Sequence, residues 1–259
     1  MTDQLAYLVA RGIASIRLNR PQALNALNNT MVAVFVESVQ ACARDESARV
    51  LVIEGAGRAF CAGDDLVDMS TPQHPNPPDK LQEYLQGYPA IVQALRDLQK
   101  PVICKVRGYA LGAGCEIVLA SDLVVADEGA KFGLPFARRG MVAGTALLPR
   151  LVGYQKACEI LFLGDMFTAD EARNMGILYR VVPADQLDET TAELAGRLAE
   201  SATGAIGLIK ASVNASLNAD LAAAMKCQAE ATVASSTTTD FREGKQAFAE
   251  KRTACFTGH

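Results

Sequence analysis

Leu111-Gly112-Ala113-Gly114-Cys115-Glu116 is the stretch on which the reading of this chain turns. Three small residues and a cysteine lead to an acid, and the apolar run Ile117-Val118-Leu119-Ala120 follows. Ahead of it, Pro101-Val102-Ile103-Cys104-Lys105-Val106 reads as a buried strand ended by Gly108. The pattern predicts a strand, a small-residue turn, and a helix over about 113–121. Such a turn lets a ligand approach the backbone closely. The first amides of the helix have no intrahelical acceptor and sit at the positive end of its dipole. They can hold an anion, or stabilise an oxyanion that forms only during reaction. Glu116 falls in the first turn, and a carboxylate beside such amides is the minimum apparatus for moving a proton α to a carbonyl. The same residues also fit a plainer role, in which small side chains permit tight strand–helix packing and Glu116 stabilises the dipole.

Outward from this stretch, strands and helices alternate. Leu5–Ala10 and Ile13–Leu18 flank Arg11-Gly12 and read as a hairpin, with Gly12 free to take a positive φ. Asn25–Asn29 is a turn-prone entry to a helix reaching Ala43, with Val32, Phe35, Val36 and Val39 on one face. Val50–Ile53 is a buried strand broken by Gly55-Ala56-Gly57, and Ala59-Phe60-Cys61-Ala62-Gly63-Asp64-Asp65-Leu66 follows as a second small-residue turn. Ser70–Asp79, with four prolines and His74, reads as a mobile loop, and Leu81–Gln99 as mostly helical. Asp122–Ala126 is a strand, and Lys131–Phe136 is extended before Arg138-Arg139-Gly140. Thr168-Ala169-Asp170-Glu171 is a capping box, and Asp240 with Glu243 resembles another. From Asp185 the pattern is helical throughout, near 185–201, 204–217, 219–236 and 240–249. The reading is therefore an α/β domain over 1–184 with a helical region over 185–259.

Composition narrows the function. Half of the 259 residues are apolar and the net charge is −4, so a large core forms and no basic footprint for nucleic acid or a lipid surface is present. Seven scattered cysteines, without a CxxC pair, and two histidines make neither a disulfide framework nor a metal site. A reducing cytoplasm is the expected compartment. Met1-Thr2-Asp3-Gln4 has none of the features of a signal peptide, and no stretch is long and apolar enough to predict a membrane span.

Taken together and in order, several stretches resemble the crotonase superfamily of enoyl-CoA hydratases and isomerases. They are Asn19-Arg20-Pro21 with Asn25-Ala26-Leu27, Ala59–Leu66, Lys105–Glu116 with Ser121-Asp122, and Lys131-Phe132-Gly133. Gly153 and the tail Phe241-Arg242-Glu243-Gly244 with Phe248-Ala249-Glu250-Lys251-Arg252 complete the set. The resemblance implies a spiral of ββα repeats with a helical C-terminal region that supports trimerisation, as a homotrimer or a dimer of trimers. It implies an acyl-CoA thioester as substrate, with coenzyme A part of that substrate and no separate cofactor or metal. Two backbone amides, by position those of Ala62 and Ala113, would form an oxyanion hole, with Glu116 as acid/base. The CoA and acyl groups would lie against Ala23, Gly63, Asp64, Asp65, Leu66, Phe136, Arg139, Phe248 and Lys251.

One departure bears on the chemistry. Hydratases of the family carry a second glutamate in a Pro-Glu pair, and here that pair is Pro135-Phe136. A phenyl ring transfers no proton. Hydration or dehydration of a 2-enoyl-CoA through Glu116 is the leading expectation. The alternatives are a double-bond shift through a dienolate, or a member that binds acyl-CoA with little turnover. Asp65 and Asp68 are conceivable substitutes for the lost acid, though turn or capping roles suit them better. Arg138 and Arg139 are candidates for an acyl carboxylate or for solvent. Cys61 and Cys115, flanking the two amides, read as buried small apolar side chains.

Overall fold

The computed structural model describes residues 3–71, 74–77 and 79–259. Pro72, Gln73 and Pro78 of the proline-rich loop lie outside the described residues, as do Met1 and Thr2. In chain order the elements are β1 (Leu5–Ala10), β2 (Ile13–Leu18), α1 (Asn29–Arg44), β3 (Val50–Gly55), β4 (Ala59–Cys61), α2 (Leu66–Met69), α3 (Leu81–Tyr84) and α4 (Tyr88–Asp97). β5 (Val102–Val106), β6 (Tyr109–Leu111), α5 (Ala113–Ala120), β7 (Leu123–Asp127), β8 (Lys131–Gly133), α6 (Leu148–Val152) and α7 (Tyr154–Leu163) follow. The chain ends with β9 (Met166–Thr168), α8 (Ala169–Asn174), β10 (Arg180–Val182), α9 (Leu187–Ala199), α10 (Thr203–Ser216), α11 (Leu221–Ser236) and α12 (Thr239–Glu250).

Two sheets result, one in the order β1-β2-β3-β5-β7-β10 and one in the order β4-β6-β8-β9. Successive pairs β3/β4, β5/β6 and β7/β8 each give one strand to each sheet. The chain therefore winds as a spiral, and like strands of neighbouring turns pair in parallel. Among the strand pairs of the described residues, β1/β2 and β8/β9 are the antiparallel ones. The β1/β2 turn is Arg11-Gly12, both at positive φ, the twist that a two-residue hairpin needs.

Phe35, Ile16, Leu51, Cys104, Ile91, Leu95, Val118 and Phe132 belong to the main core, where α1, α4 and α5 cover the sheet. On the other face α9 buries Leu187, Leu194 and Ala195 against Val50, Val52, Ile103 and Val125. The first helix of the 185–259 region is thus built into the sheet's packing, whereas α10, α11 and α12 extend beyond it.

Several local expectations change. The segment Leu81–Gln99 is two helices, broken at Gly87, which precedes α4 and its Pro89. β6 takes the residues between Gly108 and the turn, so the turn at Gly112 begins from the smaller sheet and not from β5. Thr168 and Glu171 do form a reciprocal capping box. Asp240 does not start α12. Thr238 caps it, accepting from the Phe241 amide, while Asp240 is buried and holds the amides of Thr257 and Gly258 at 2.7 and 2.8 Å.

Candidate active site

Two turns meet at the ends of β4 and β6. Gly63, at φ +101°, lies so close to the other turn that a Cβ would stand 2.9 Å from the Leu111 carbonyl oxygen and 3.4 Å from the Ala113 nitrogen. In return, a Cβ on Gly114 would stand 2.4 Å from the Cys61 carbonyl oxygen. Any side chain at either position would push the turns apart. The start of α5 is thereby held against the end of β4.

The amides around this junction have distinct partners. Ala62 N–H donates to the Leu24 carbonyl at 3.0 Å, Asp65 N–H to the Leu27 carbonyl at 2.9 Å, and Gly63 N–H to Cys61 Sγ at 3.5 Å. The Asp64 N–H, between them, is taken by no carbonyl among the described residues. Ala113 N–H opens α5 and has no intrahelical acceptor. The pair of amides available to a ligand is therefore Asp64 with Ala113. The assignment of Ala62 is corrected, because its single hydrogen is spent on Leu24. Strand pairing that brings Leu27 alongside Asp64 decides which amide is free. Ala113 itself has helical geometry and accommodates its Cβ; the unusual backbone belongs to Gly112, at φ 53° and ψ −125°.

Glu116 is buried in α5 one turn after Ala113. Burial pushes its carboxyl up from 4.5 to about 7, and the charge of Asp64 adds to the rise. The nearby Gly144 amide and Tyr88 hydroxyl hold the shift back. Asp64 is also raised by desolvation, to about 6. Tyr84 and Tyr88 stand edge to face across the α3/α4 break, with ring centroids 5.8 Å apart, and both hydroxyls are raised, first by burial. With Asp64, His74, Asn76 and Asn29 they border a cavity of about 20 Å³.

The remaining residues fall into place by contact. Phe136 is buried, and its ring edge lies 3.8 Å from where a Gly112 Cβ would be, so an apolar wall borders the turn. Asp65 caps α2 and pairs with Arg20 at 3.0 Å, while Asp68 accepts from the Asn29 amide at 3.0 Å and its side chain at 2.7 Å. Both carboxylates are structural. Arg138 donates to the Leu163 carbonyl and pairs with Asp165, and Arg139 is exposed with no ion pair among the described residues. Cys61 and Cys115 are buried and pushed up to about 12, which keeps them as thiols. Ala23 is adjacent to the Leu24 carbonyl that holds Ala62, and Gly63–Leu66 continues the same loop. Phe248 and Lys251 are not brought to this junction within one chain. Phe248 is 87% exposed and borders a hollow with Ala202, Ala205, Phe241 and Phe256, and Lys251 ends α12. No group of metal-ligating side chains occurs among the described residues.

The sequence reading missed the Asp64 amide, Tyr84, Tyr88 and Gly144. A signal for the tyrosines was present: two hydroxyls four residues apart in an amphipathic segment, which need polar partners if buried.

Comparisons with known proteins agree with this architecture. The family model described as enoyl-CoA hydratase/isomerase matches residues 9–259. A 1,2-epoxyphenylacetyl-CoA isomerase of Escherichia coli K12 is 36% identical over 261 residues, covering 100% of both chains. A 2,3-dehydroadipyl-CoA hydratase of the same organism is 36% identical over 246 residues and 94% of each chain. Among solved structures, an enoyl-CoA hydratase subunit I from Geobacillus kaustophilus superposes with a TM-score of 0.91 at 37% identity, covering 99% of this chain and 98% of the other. An enoyl-CoA hydratase from Bacillus anthracis gives 0.92 at 29% identity, covering 99% and 100%. The spiral of paired sheets, the interlocked turns at Gly63 and Gly114, and these matches along the whole chain have one meaning: this protein is a member of the enoyl-CoA hydratase/isomerase family, within the crotonase superfamily.

Proposed function

We propose that the chain is an enzyme acting on enoyl-CoA thioesters, and that hydration or dehydration of a 2-enoyl-CoA is its reaction. The observation that carries this reading is the close packing of the Gly63–Asp64 turn on the Ala113 amide that opens α5, one helical turn before a buried carboxyl, Glu116, raised to about 7. A thioester oxygen placed between the two amides is polarised, and the enolate formed from it is stabilised. Loss of one such donor typically costs about 3–4 kcal/mol in the transition state. Glu116 takes a proton from water, whose oxygen bonds to the β-carbon, and the same proton then goes to the α-carbon. A carboxyl with a pKa near neutrality gives and takes protons with comparable ease.

A second reading rests on Phe136. The apolar ring at the position of the family's second glutamate leaves Glu116 to remove a proton from one carbon and return it to another, a double-bond shift through a dienolate.

Coenzyme A enters as part of the substrate, and no further cofactor is invoked. The loop Ala62–Leu66, with Ala23 beside it, is the surface for the CoA moiety. The exposed positions of Phe248 and Lys251 suit contact with a substrate held by a second copy. Arg139, exposed beyond Phe136, remains available to a polar acyl group. The helical region over 185–259 is the assembling surface of a homotrimer, or of a dimer of trimers. The cytoplasm, which keeps the chain's free cysteines reduced, is its compartment.

The test is incubation with 2-enoyl-CoA and 3-enoyl-CoA in deuterated water, alongside Glu116→Gln. The expected result is hydration, or a bond shift, with deuterium at the α-carbon, and loss of about 100-fold or more in Glu116→Gln. Absence of turnover and exchange with CoA still bound would favour a binding protein. Full activity in Glu116→Gln would remove Glu116 from the mechanism.

A further inference from the structure

Which amide of the 62–65 turn is left free follows from the segment it is bonded to. Leu24 and Leu27 take the Ala62 and Asp65 amides at 3.0 and 2.9 Å, and the Leu27 amide donates back to the Gly63 carbonyl at 2.8 Å. The turn is thus zipped onto residues 24–27, with the Asp64 amide left out of the zip. That segment is held in an unfavourable form. Leu24 and Asn25 stand side by side at φ 50° and 57°, a left-handed form that is rare for a leucine. Such backbone persists where its surroundings over-determine it.

Arg20 supplies much of that determination. Its backbone amide donates to Asn25 Oδ1 at 2.9 Å, and its carbonyl accepts the Asn25 amide at 2.9 Å. Its guanidinium reaches past the left-handed pair. Nη1 donates to the Ala26 carbonyl at 2.7 Å and to Asp65 Oδ2 at 3.0 Å, and Nη2 donates to the same carboxylate oxygen at 3.0 Å. The two side chains are 16% and 17% exposed, so salt screens the pair weakly. Asp65 divides its oxygens. Oδ2 takes Arg20, while Oδ1 accepts the Val67 and Asp68 amides at 3.1 and 3.4 Å at the start of α2. One carboxylate therefore fixes the residue after Asp64 both to α2 and to the segment that zips the turn. Gly63, the residue before Asp64, is fixed by its packing on Leu111 and Ala113. Asp64 is thus flanked in the chain by two anchored residues.

We propose that Arg20 and Asp65 are positioning residues for the reaction: their ion pair sets the direction of the Asp64 amide toward the thioester oxygen. This inference rests on the enoyl-CoA reading above. Neither side chain is assigned to a reacting atom, and both act through the Asp64 N–H. An oxyanion donor works at hydrogen-bond distance from where the charge develops, and a displacement of about 1 Å can cost roughly 100-fold in rate. Arg20→Lys keeps the charge and loses the fork, because one ammonium does not reproduce the planar set of donors shared by Ala26 and Asp65. Asp65→Asn keeps Oδ1 as the cap of α2 and removes the charge that orients Arg20.

These two variants of the full-length protein test the proposal, with infrared difference spectra of bound butanoyl-CoA carrying carbon-13 at the thioester carbonyl. This saturated thioester has no double bond to hydrate or shift, and its carbonyl stretch falls as the oxygen accepts stronger hydrogen bonds. In the wild type the stretch is expected below its value for the free thioester. Each variant should give back part of that shift, and kcat for a 2-enoyl-CoA should fall about 10-fold or more with a smaller change in KM. A pair that merely holds the fold would lower the melting temperature and leave the carbonyl stretch and kcat of the folded variants at wild-type values, and that result overturns the proposal. Should Arg20→Lys fail to fold by circular dichroism, Asp65→Asn, which leaves the cap and the backbone bonds of the turn in place, decides alone. A wild type that binds the labelled thioester with no shift and turns over no enoyl-CoA overturns the functional reading itself, and this inference with it.

Discussion

Glu116 is held in a place that costs stability. Its ordinary value of 4.5 rises to about 7 in the fold, so the folded chain binds this proton more tightly than the unfolded one. Stability therefore falls as pH rises from about 4.5 to about 7 and is level above that range, with the full protection present only on the acid side. At 1.36 kcal/mol per unit, the span is about 3 kcal/mol. Glu116→Gln carries no such charge. Urea titrations should show it up to about 3 kcal/mol more stable than wild type at pH 8, with the difference gone near pH 4. Gly112 lends itself to a second prediction at this scale. Its φ of 53° with ψ of −125° excludes a side chain, so Gly112→Ala should cost about 1–3 kcal/mol. The accompanying shift of the Ala113 amide should lower kcat by about 100-fold, readable by steady-state kinetics with enoyl-CoA. Ala113 and Glu116 were legible in the sequence because a small-residue turn before an apolar helix is a local pattern. The free amide at Asp64 was not, since it depends on Leu24 and Leu27 taking the amides on either side, and those residues lie far away in the chain.

At the scale of elements, legibility followed length. The helices from Leu187 to Glu250 are close to their expected spans because each carries several turns of pattern. β4, β6 and β9 have three residues each and no periodicity of their own. They are strands because the neighbouring turn of the spiral supplies hydrogen bonds. The same dependence on distant partners appears at Asn25, a turn residue in sequence. Fully buried, it donates through Nδ2 to the carbonyls of Ala56, Ala59 and Phe60 at 2.9, 2.8 and 3.1 Å, and its Oδ1 accepts the Arg20 amide at 2.9 Å. It thus ties the entry to α1 onto β4, the strand that leads into the turn at Gly63. Asn25→Ala would leave these groups without partners, at a cost of about 3 kcal/mol in denaturant unfolding. Hydrogen exchange should rise in β4 as well as around Asn25, because the carbonyls released belong to that strand and its approach.

For the whole molecule, the site and the helical region pose one question. α10 and α11 present Ile209, Val213, Leu217, Leu221, Met225 and Val233 to the surface, and α12 presents Phe241 and Phe248. Apolar side chains in such continuity mark a surface that another protein covers. A second copy is the partner proposed here, and the order of the chain agrees with it. The strands end at Val182 and α9 closes the sheet, so the helices beyond α9 are not needed to complete the core of one copy. If they assemble the protein, size-exclusion chromatography with light scattering should give three or six times the chain mass of 27.5 kDa. Ile209→Asp combined with Val213→Asp places charge on the exposed face of α10, where neither side chain enters the main core. The double variant should elute as a single chain with its far-ultraviolet circular dichroism preserved. Its activity should fall with assembly if Phe248 and Lys251 serve the substrate of a neighbouring copy. Activity that survives dissociation would confine the acyl-CoA site to one chain and leave those two residues without a part in it.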